Sequence, residues 1–295
     1  MVHLDEPGQD EGVFSTLDVP QPDGPDDATS RLILFPPNNY VRPPNVAGGF
    51  KLLELSHKAP IRANICGSDI TKVGLGGTGS QIATKVLTGH KDSFLITLET
   101  WGGGIMYAAT AQWIEHKAGA RDCQFGQFDT SDITEKAVMA TSETDTPRTE
   151  FSKYIRFRRP FNKNPPEVIC WLNRIDMESD GDRNYRINAY ATNITQAGFI
   201  AHIDTWGDSL LNGAAMCFIA FPAGKKHVAS GTISTTDVRP WHDPRPKNSG
   251  RVMYPKPFDR KPTVLVALHA FDMAGNADLR VRVDIDDVSE EGFRW

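Results

Sequence analysis

The chain has 295 residues, with 37 acidic and 32 basic side chains and a formal net charge of -5 at pH 7. This balance gives no overall attraction to nucleic acid or anionic lipid, and no apolar run approaches the ~20 residues of a membrane-spanning helix. The 25 Gly and 20 Pro residues favour many turns and short strands over a helical bundle.

The start of the chain lacks a basic region followed by an apolar stretch, so no secretory signal is predicted. We therefore expect a cytoplasmic protein, or one secreted without a signal. The four cysteines lie far apart with no CxxC pair, which argues against a zinc knuckle and a dense disulfide framework. Cys170 and Cys217 lie in apolar runs and are interpreted as buried small residues, with a bridge between them as the alternative.

Internal similarity divides the chain into three units. Each opens with a glycine and alternating apolar and polar residues, then has a short apolar strand and a proline-bearing turn. The first two units also carry a Thr-Trp pair, at Thr100-Trp101 and Thr205-Trp206, and the third stops before one. The predicted units are residues 10–122, 123–228 and 229–295.

The spacing of apolar residues within each unit predicts strands. Phe199, Ala201 and Ile203 alternate with their neighbours, so that one face of this segment can point inward. Such segments recur about every ten residues, separated by Pro, Gly, Asn and Asp turns. The sequence therefore predicts an all-β fold of tandem antiparallel β-sandwiches, with about six strands in each and the third copy truncated.

The second unit combines an N-x-R at Asn184–Arg186, a Gly-Phe at 198–199 and the pair Thr205-Trp206, after a strand that ends at Asp176. In combination these motifs resemble the H-type lectin domain, the six-stranded sandwich of snail agglutinins and of the C-terminal domain of discoidins. The resemblance covers nearly all of the first two units and about half of the third.

The resemblance implies trimers that bind galactose or N-acetylgalactosamine glycans, with a role in recognition or adhesion, no enzymatic activity and no cofactor or metal. In that family the Arg of N-x-R, the acid or amide two residues before it, the Trp of Thr-Trp, nearby aromatics and an upstream loop Asp form the site. The corresponding predicted residues are Asn184, Arg186 and Trp206 in the second unit, Asp278 and Arg280 in the third, Trp101 and Tyr107 in the first, and Asp145 and Asp243 in the loops.

The second unit is predicted to hold the working site. The first unit is expected to be degenerate, because the alignment places Gln81 where the Arg would be and Gly79 where the acid would be. Snail agglutinins have a His after the Trp, whereas Gly102 and Gly207 follow it here. The three units are expected to imitate the family trimer within one chain, with association between chains as the alternative.

Other interpretations stay open at this stage. Trp101 and Trp206 could be core or interface aromatics, and Arg186 could be an exposed strand residue paired with Asp182 or Asp204. In that case the protein is a structural or protein-interaction module without a sugar site.

A third alternative is nucleotide binding through the Gly-rich segment 74–80. The residues before it are too polar and broken for the buried strand that such a motif follows. The acidic run 176–182 lacks the spacing of a calcium loop, and no hydrolase motif is present.

Overall fold

The computed structural model describes residues 11–19, 27–36, 39–68, 87–88, 91–133 and 147–295. The Gly-rich segment 74–80 lies outside them. The described strands are β1 (Glu11–Ser15), β2 (Ala28–Leu34), β3 (Asn45–Leu55), β4 (Ile61–Ser68), β5 (Leu87–Thr88), β6 (Ser93–Glu99), β7 (Met106–His116), β8 (Gln124–Asp129), β9 (Glu150–Arg156), β10 (Pro166–Met177), β11 (Tyr185–Thr192), β12 (Gly198–Asp204), β13 (Leu211–Pro222), β14 (Arg251–Met253), β15 (Ala270–Met273), β16 (Leu279–Arg282) and β17 (Gly292–Arg294).

The strands pair in the same order in the first and second predicted units. In the first, β7 lies between β1 and β3, and β6 lies between β2 and β4. In the second, β13 lies between β8 and β10, and β12 lies between β9 and β11. All of these pairs are antiparallel, which confirms the prediction of an all-β antiparallel sandwich.

Alternation of side chains builds the core. Phe199, Ala201 and Ile203 of β12 are fully buried, as their spacing predicts, and Phe94 and Ile96 are buried in the same way on β6. Strands of the facing sheets pack over these residues, and the buried side chains form one large hydrophobic cluster. Burial of this apolar surface is the main favourable term for folding.

Similar turns open the first and third units. Ser15 and Ser234 each cap a 3₁₀ turn, and Asp18 and Asp237 return the contact to the main-chain N–H of the capping serine. This reciprocal arrangement satisfies main-chain donors at the start of a turn. The two turns lie at the Ser-Thr-x-Asp pieces where the sequence is similar.

Three further antiparallel pairs join the predicted units. We call them the first seam, between β4 and β10, the second seam, between β11 and β15, and the third seam, between β16 and β3. An arginine faces an acidic residue across each seam. The facing residues are Arg62 and Asp176 at the first seam, Arg186 and Asp272 at the second, and Arg280 and Glu54 at the third.

The main chains of the three units also meet where β3, β10 and the residues before β15 converge. Leu268 N donates a hydrogen bond of 2.6 Å to Phe50 O, and Leu172 N donates one of 2.9 Å to Leu268 O. Each of these residues lies four positions before the acidic residue of its seam. The three equivalent positions are therefore in direct contact.

The residue before each of these positions also lies at the contact between units. These residues are Gly49, Trp171 and Ala267, and Gly49 has no room for a side chain. A Cβ built on Gly49 would lie 2.5 Å from Cβ of Trp171 and 2.7 Å from Cβ of Ala267. Trp171 belongs to a second, smaller hydrophobic cluster against which Ala267 packs. Glycine is thus required by the close approach of the units at this point.

The cysteines do not form a bridge: all four are free thiols, and Cys217 is buried. Burial raises the pKa of the Cys170 thiol to about 12 and that of Cys217 to about 11. The interpretation as a buried small residue is confirmed for Cys217, whereas Cys170 is only partly buried, and the bridge considered as the alternative is wrong. Among the described residues, no helix is long and apolar enough to cross a membrane.

Candidate functional site

At the second seam, Arg186 is held by two carboxylates. Its Nε donates to Asp272 Oδ1 at 3.1 Å across the seam, and its Nη1 donates to Asp208 Oδ1. The arginine side chain is 18% exposed, whereas both carboxylates are about half exposed. These partners replace Asp182 and Asp204, which the sequence had suggested.

The Thr-Trp pair is fixed to the same arginine. Thr205 is buried, and its Oγ1 donates to the Arg186 carbonyl oxygen at 2.7 Å, which ties the main chain next to Trp206 to the strand of Arg186. Trp206 itself is 40% exposed, a large fraction for an indole. Trp206 therefore presents aromatic surface to solvent and is not a core residue.

The position after Trp206 disfavours a histidine, both by its backbone conformation and by the space available, and it is occupied by Gly207. Its φ of +68° lies in the left-handed region, which side chains with a Cβ rarely adopt. A Cβ on Gly207 would also lie 2.5 Å from Arg186 Nη1. Gly102 repeats both features beside Arg62, with a φ of +57° and the same 2.5 Å approach to Nη1.

Asn184 and Asp278 hold the turn of the neighbouring unit. Asn184 Oδ1 accepts a hydrogen bond of 3.2 Å from Gly275 N. In the corresponding place, Asp278 Oδ1 accepts from His57 N at 3.1 Å and lies 2.7 Å from His57 Nδ1. The hydrogen bonds from the His57 side chain and main chain lower the pKa of the Asp278 carboxyl below its ordinary value.

The first seam contains an arginine in the position of Arg186 that the sequence interpretation missed. Arg62 Nε donates to Asp176 Oδ1 at 3.1 Å, and its Nη1 donates to Gly102 O at 2.6 Å. Strand pairing makes Arg62, and not Gln81, the counterpart of Arg186, and Gln81 lies outside the described residues. The signal was present in the sequence, because Arg62 and Arg186 each begin an Arg-x-Asn within a strand.

The two seams differ in what covers their tryptophan. At the first seam the Arg174 guanidinium lies 5.8 Å from the centre of the Trp101 ring, within cation–π range. Asp129, which is buried, holds Arg174 through contacts of 3.1 and 3.2 Å. At the second seam the position two residues before the acid is Ala270, so no arginine lies there to cover Trp206.

The third seam carries the remaining predicted residues. Arg280 is 63% exposed and donates to Asp278 Oδ2 at 3.2 Å. Tyr107 is exposed and precedes Ala108, the residue of β7 that pairs with Glu54.

One of the two predicted loop aspartates, Asp243, lies among the described residues. Asp145 lies outside the described residues. Asp243 is exposed, and Arg245 donates to its Oδ2 through contacts of 3.2 and 2.9 Å. The structure thus links Asn184 and Arg186 at the second seam through Asp208, to which both donate, while Trp206 is linked to Arg186 through its neighbour Thr205. Within the described ranges, no three His, Cys, Asp or Glu side chains could hold a metal ion.

A model of the H-type lectin domain matches residues 152–221 and 249–295. This part of the chain is an H-type lectin domain. The matched stretches contain Arg186 and Asp272, so both sides of the second seam are H-type lectin sequence. The match confirms the resemblance for these residues, and the division into three tandem units stays a prediction.

H-type lectin domains bind carbohydrate and are not enzymes. Carbohydrate binding is therefore the function class that the match supports for this chain. No curated protein and no solved structure matches the chain.

Proposed function

We propose that this protein is a lectin for galactose and N-acetylgalactosamine glycans, with its working site at the second seam. The observation that carries the proposal is Arg186, fixed by Asp208 and Asp272, with the exposed Trp206 between two residues, Thr205 and Gly207, that both lie against that arginine. A sugar of this class presents hydroxyl groups on its edges and an apolar patch of C–H groups on one face. The seam offers a partner for each of these features.

Recognition at this site uses hydrogen bonds and packing, with no covalent step. The half-exposed carboxylates of Asp208 and Asp272 accept hydrogen bonds from sugar hydroxyls, and the guanidinium donates from a rigid fork. Trp206 packs on the apolar face of the sugar and fixes its orientation. Because Arg186 is already held by its two acids, little conformational freedom is lost when the sugar binds.

The three units are proposed to imitate the trimer that the family forms from separate chains. The three seams support this arrangement because they are equivalent to one another. At each seam, the strand that carries the arginine in one unit pairs with the strand that carries the acid in the next unit. Several weak sites on one body raise the avidity for a surface that displays many glycans. A role in recognition or adhesion is part of the same proposal.

The test is a glycan array with the wild type, Arg186→Ala and the control Arg282→Ala. Arg282 is also a strand arginine paired with an aspartate, but it lies outside the predicted site. We expect the wild type and the control to bind galactose-type glycans selectively, and Arg186→Ala to bind at least ~10-fold more weakly, as loss of a charged hydrogen-bonding group implies.

Equal binding by Arg186→Ala would move the site elsewhere. A silent array from folded protein would contradict the lectin proposal and favour the structural or protein-interaction module.

A further inference from the structure

A groove on the second unit lies away from the seams, between the edge strands β8 and β9. Its volume is about 200 Å³. Phe125 and Phe218 contribute to its apolar lining, and Arg156 and Arg158 line it as well. Two glutamines are its other polar side chains, and no Asp or Glu takes part. The groove is therefore cationic within a protein whose net charge is -5.

Within the described part of the chain, no acidic residue pairs with the two guanidiniums of this groove. Arg156 and Arg158 are exposed, and neither forms an ion pair among the residues that the structure describes. They stand two positions apart in the chain, with the buried Phe157 between them. The arginines of the three seams, in contrast, are each paired with an acid.

The backbone beneath the arginines is fixed. Gln124 Nε2 donates to Arg159 O at 2.7 Å, and Arg159 N donates to Gln124 Oε1 at 3.4 Å, which ties β8 to the turn after β9. Phe157 stacks edge-on against Phe161, with ring centres 5.0 Å apart. The main chain that carries the two arginines is thus held at two points, by Gln124 and by the packing of Phe157.

We propose that this groove binds a saccharide carrying a sulfate or carboxylate group. Arg156 and Arg158 take the anionic group through charge-assisted hydrogen bonds, for which the guanidinium fork has matching geometry. The groove is larger than one inorganic anion requires, and Phe125 and Phe218 give it apolar surface against which the C–H groups of a sugar ring can pack. That the anionic group is carried by a saccharide rests on the proposed lectin function. That the groove binds an anionic group does not.

The experiment is calorimetric titration with a sulfated disaccharide, its desulfated counterpart and inorganic sulfate. The variants are Arg156→Gln/Arg158→Gln and the charge-matched control Arg251→Gln/Arg282→Gln, which removes two exposed arginines that are paired with Asp287 and Asp284. We expect the sulfated disaccharide to bind the wild type and the control equally, and the groove variant at least ~10-fold more weakly.

Further arms separate specific recognition from simple charge. The desulfated disaccharide should bind at least ~10-fold more weakly than the sulfated one, and added salt should weaken the binding of the sulfated one. Arg156→Lys/Arg158→Lys keeps the charge but loses the fork, and should bind several-fold more weakly than the wild type. Near-ultraviolet circular dichroism confirms that each variant is folded.

Equal losses in the groove variant and the control would overturn the proposal, as would inorganic sulfate binding as well as the sulfated disaccharide. Binding of a neutral galactoside, measured on the same samples, should be the same in the groove variant and the wild type. This readout keeps failure of the groove proposal distinct from failure of the second-seam proposal.

Discussion

Arg186 and Arg62 occupy equivalent positions, and each is held by a residue of the facing strand. Each guanidinium reaches an acid on the facing strand at 3.1 Å, and each lies against a left-handed glycine after a tryptophan. Local sequence alone does not reveal this, because the acid comes from a different part of the chain. What distinguishes the two seams is whether an arginine covers the tryptophan.

Ala270→Arg tests that difference. The new guanidinium would stand where Arg174 stands at the first seam, so it should cover Trp206 and weaken binding of N-acetylgalactosamine by about tenfold, the loss expected when an aromatic packing surface is removed. Calorimetric titration measures the affinity, and Ala270→Ser controls for the polar change. Unchanged affinity in Ala270→Arg would show that the open face of Trp206 is not part of the site.

The pairing of Asp278 with His57 predicts a dependence of stability on pH. Since the pKa of Asp278 is lower in the folded protein than its ordinary value, the ionised carboxylate stabilises the fold above that ordinary value. The stabilisation is lost as pH falls through the folded pKa. Asp278→Asn should therefore lower the thermal midpoint at pH 7, and the difference from the wild type should shrink below pH ~4. A difference that is constant with pH would contradict this assignment.

At the scale of elements, the sequence predicted the strands well where alternation was clear. The segment around Phe199 is the best case, because its buried and exposed positions follow the period of a strand. The sequence alignment is less accurate in the first unit, since it places Gln81, the residue after the Gly-rich segment, at the Arg position. The R-x-N of β4 lies upstream of that segment, so an alignment guided by the glycines passed over Arg62.

The seams between units could not be predicted from the same patterns. A strand's alternation shows which of its faces is buried but not which strand lies beside it. The partners of Arg62 and Arg186 follow from three-dimensional pairing alone, and the same holds for the covering of Trp101 by Arg174. The site was therefore predicted as residue types, and its division among three seams emerged only from the fold.

Gly49 offers a test of the contact between units. Gly49→Ala places a Cβ 2.5 Å from Cβ of Trp171, so we expect a loss of about 1–3 kcal/mol in the free energy of unfolding, typical of overpacking. Gly231→Ala is the control, since nothing lies within 4 Å of a Cβ at that position. Denaturant unfolding measures both variants. Equal stability of Gly49→Ala and wild type would mean that the units do not approach so closely.

At the scale of the whole molecule, the three seams form a closed ring of strand pairs within one chain. Each unit contributes one strand to each of two seams, so no seam strand among those described is left without a partner. Light scattering should therefore give the mass of a single chain, 32.6 kDa, at micromolar concentration. A trimeric mass would contradict the proposal that the chain itself supplies the three units.

The central claim is that a galactose-type sugar binds at the second seam against Trp206. The most direct measurement is nuclear magnetic resonance of the six tryptophan indole N–H groups during titration with N-acetylgalactosamine. The signal that disappears in Trp206→Phe should shift on binding, while those of the buried Trp113 and Trp171 should not. If no indole signal moves, or if the shifts persist unchanged in Trp206→Phe, the sugar does not bind at the second seam.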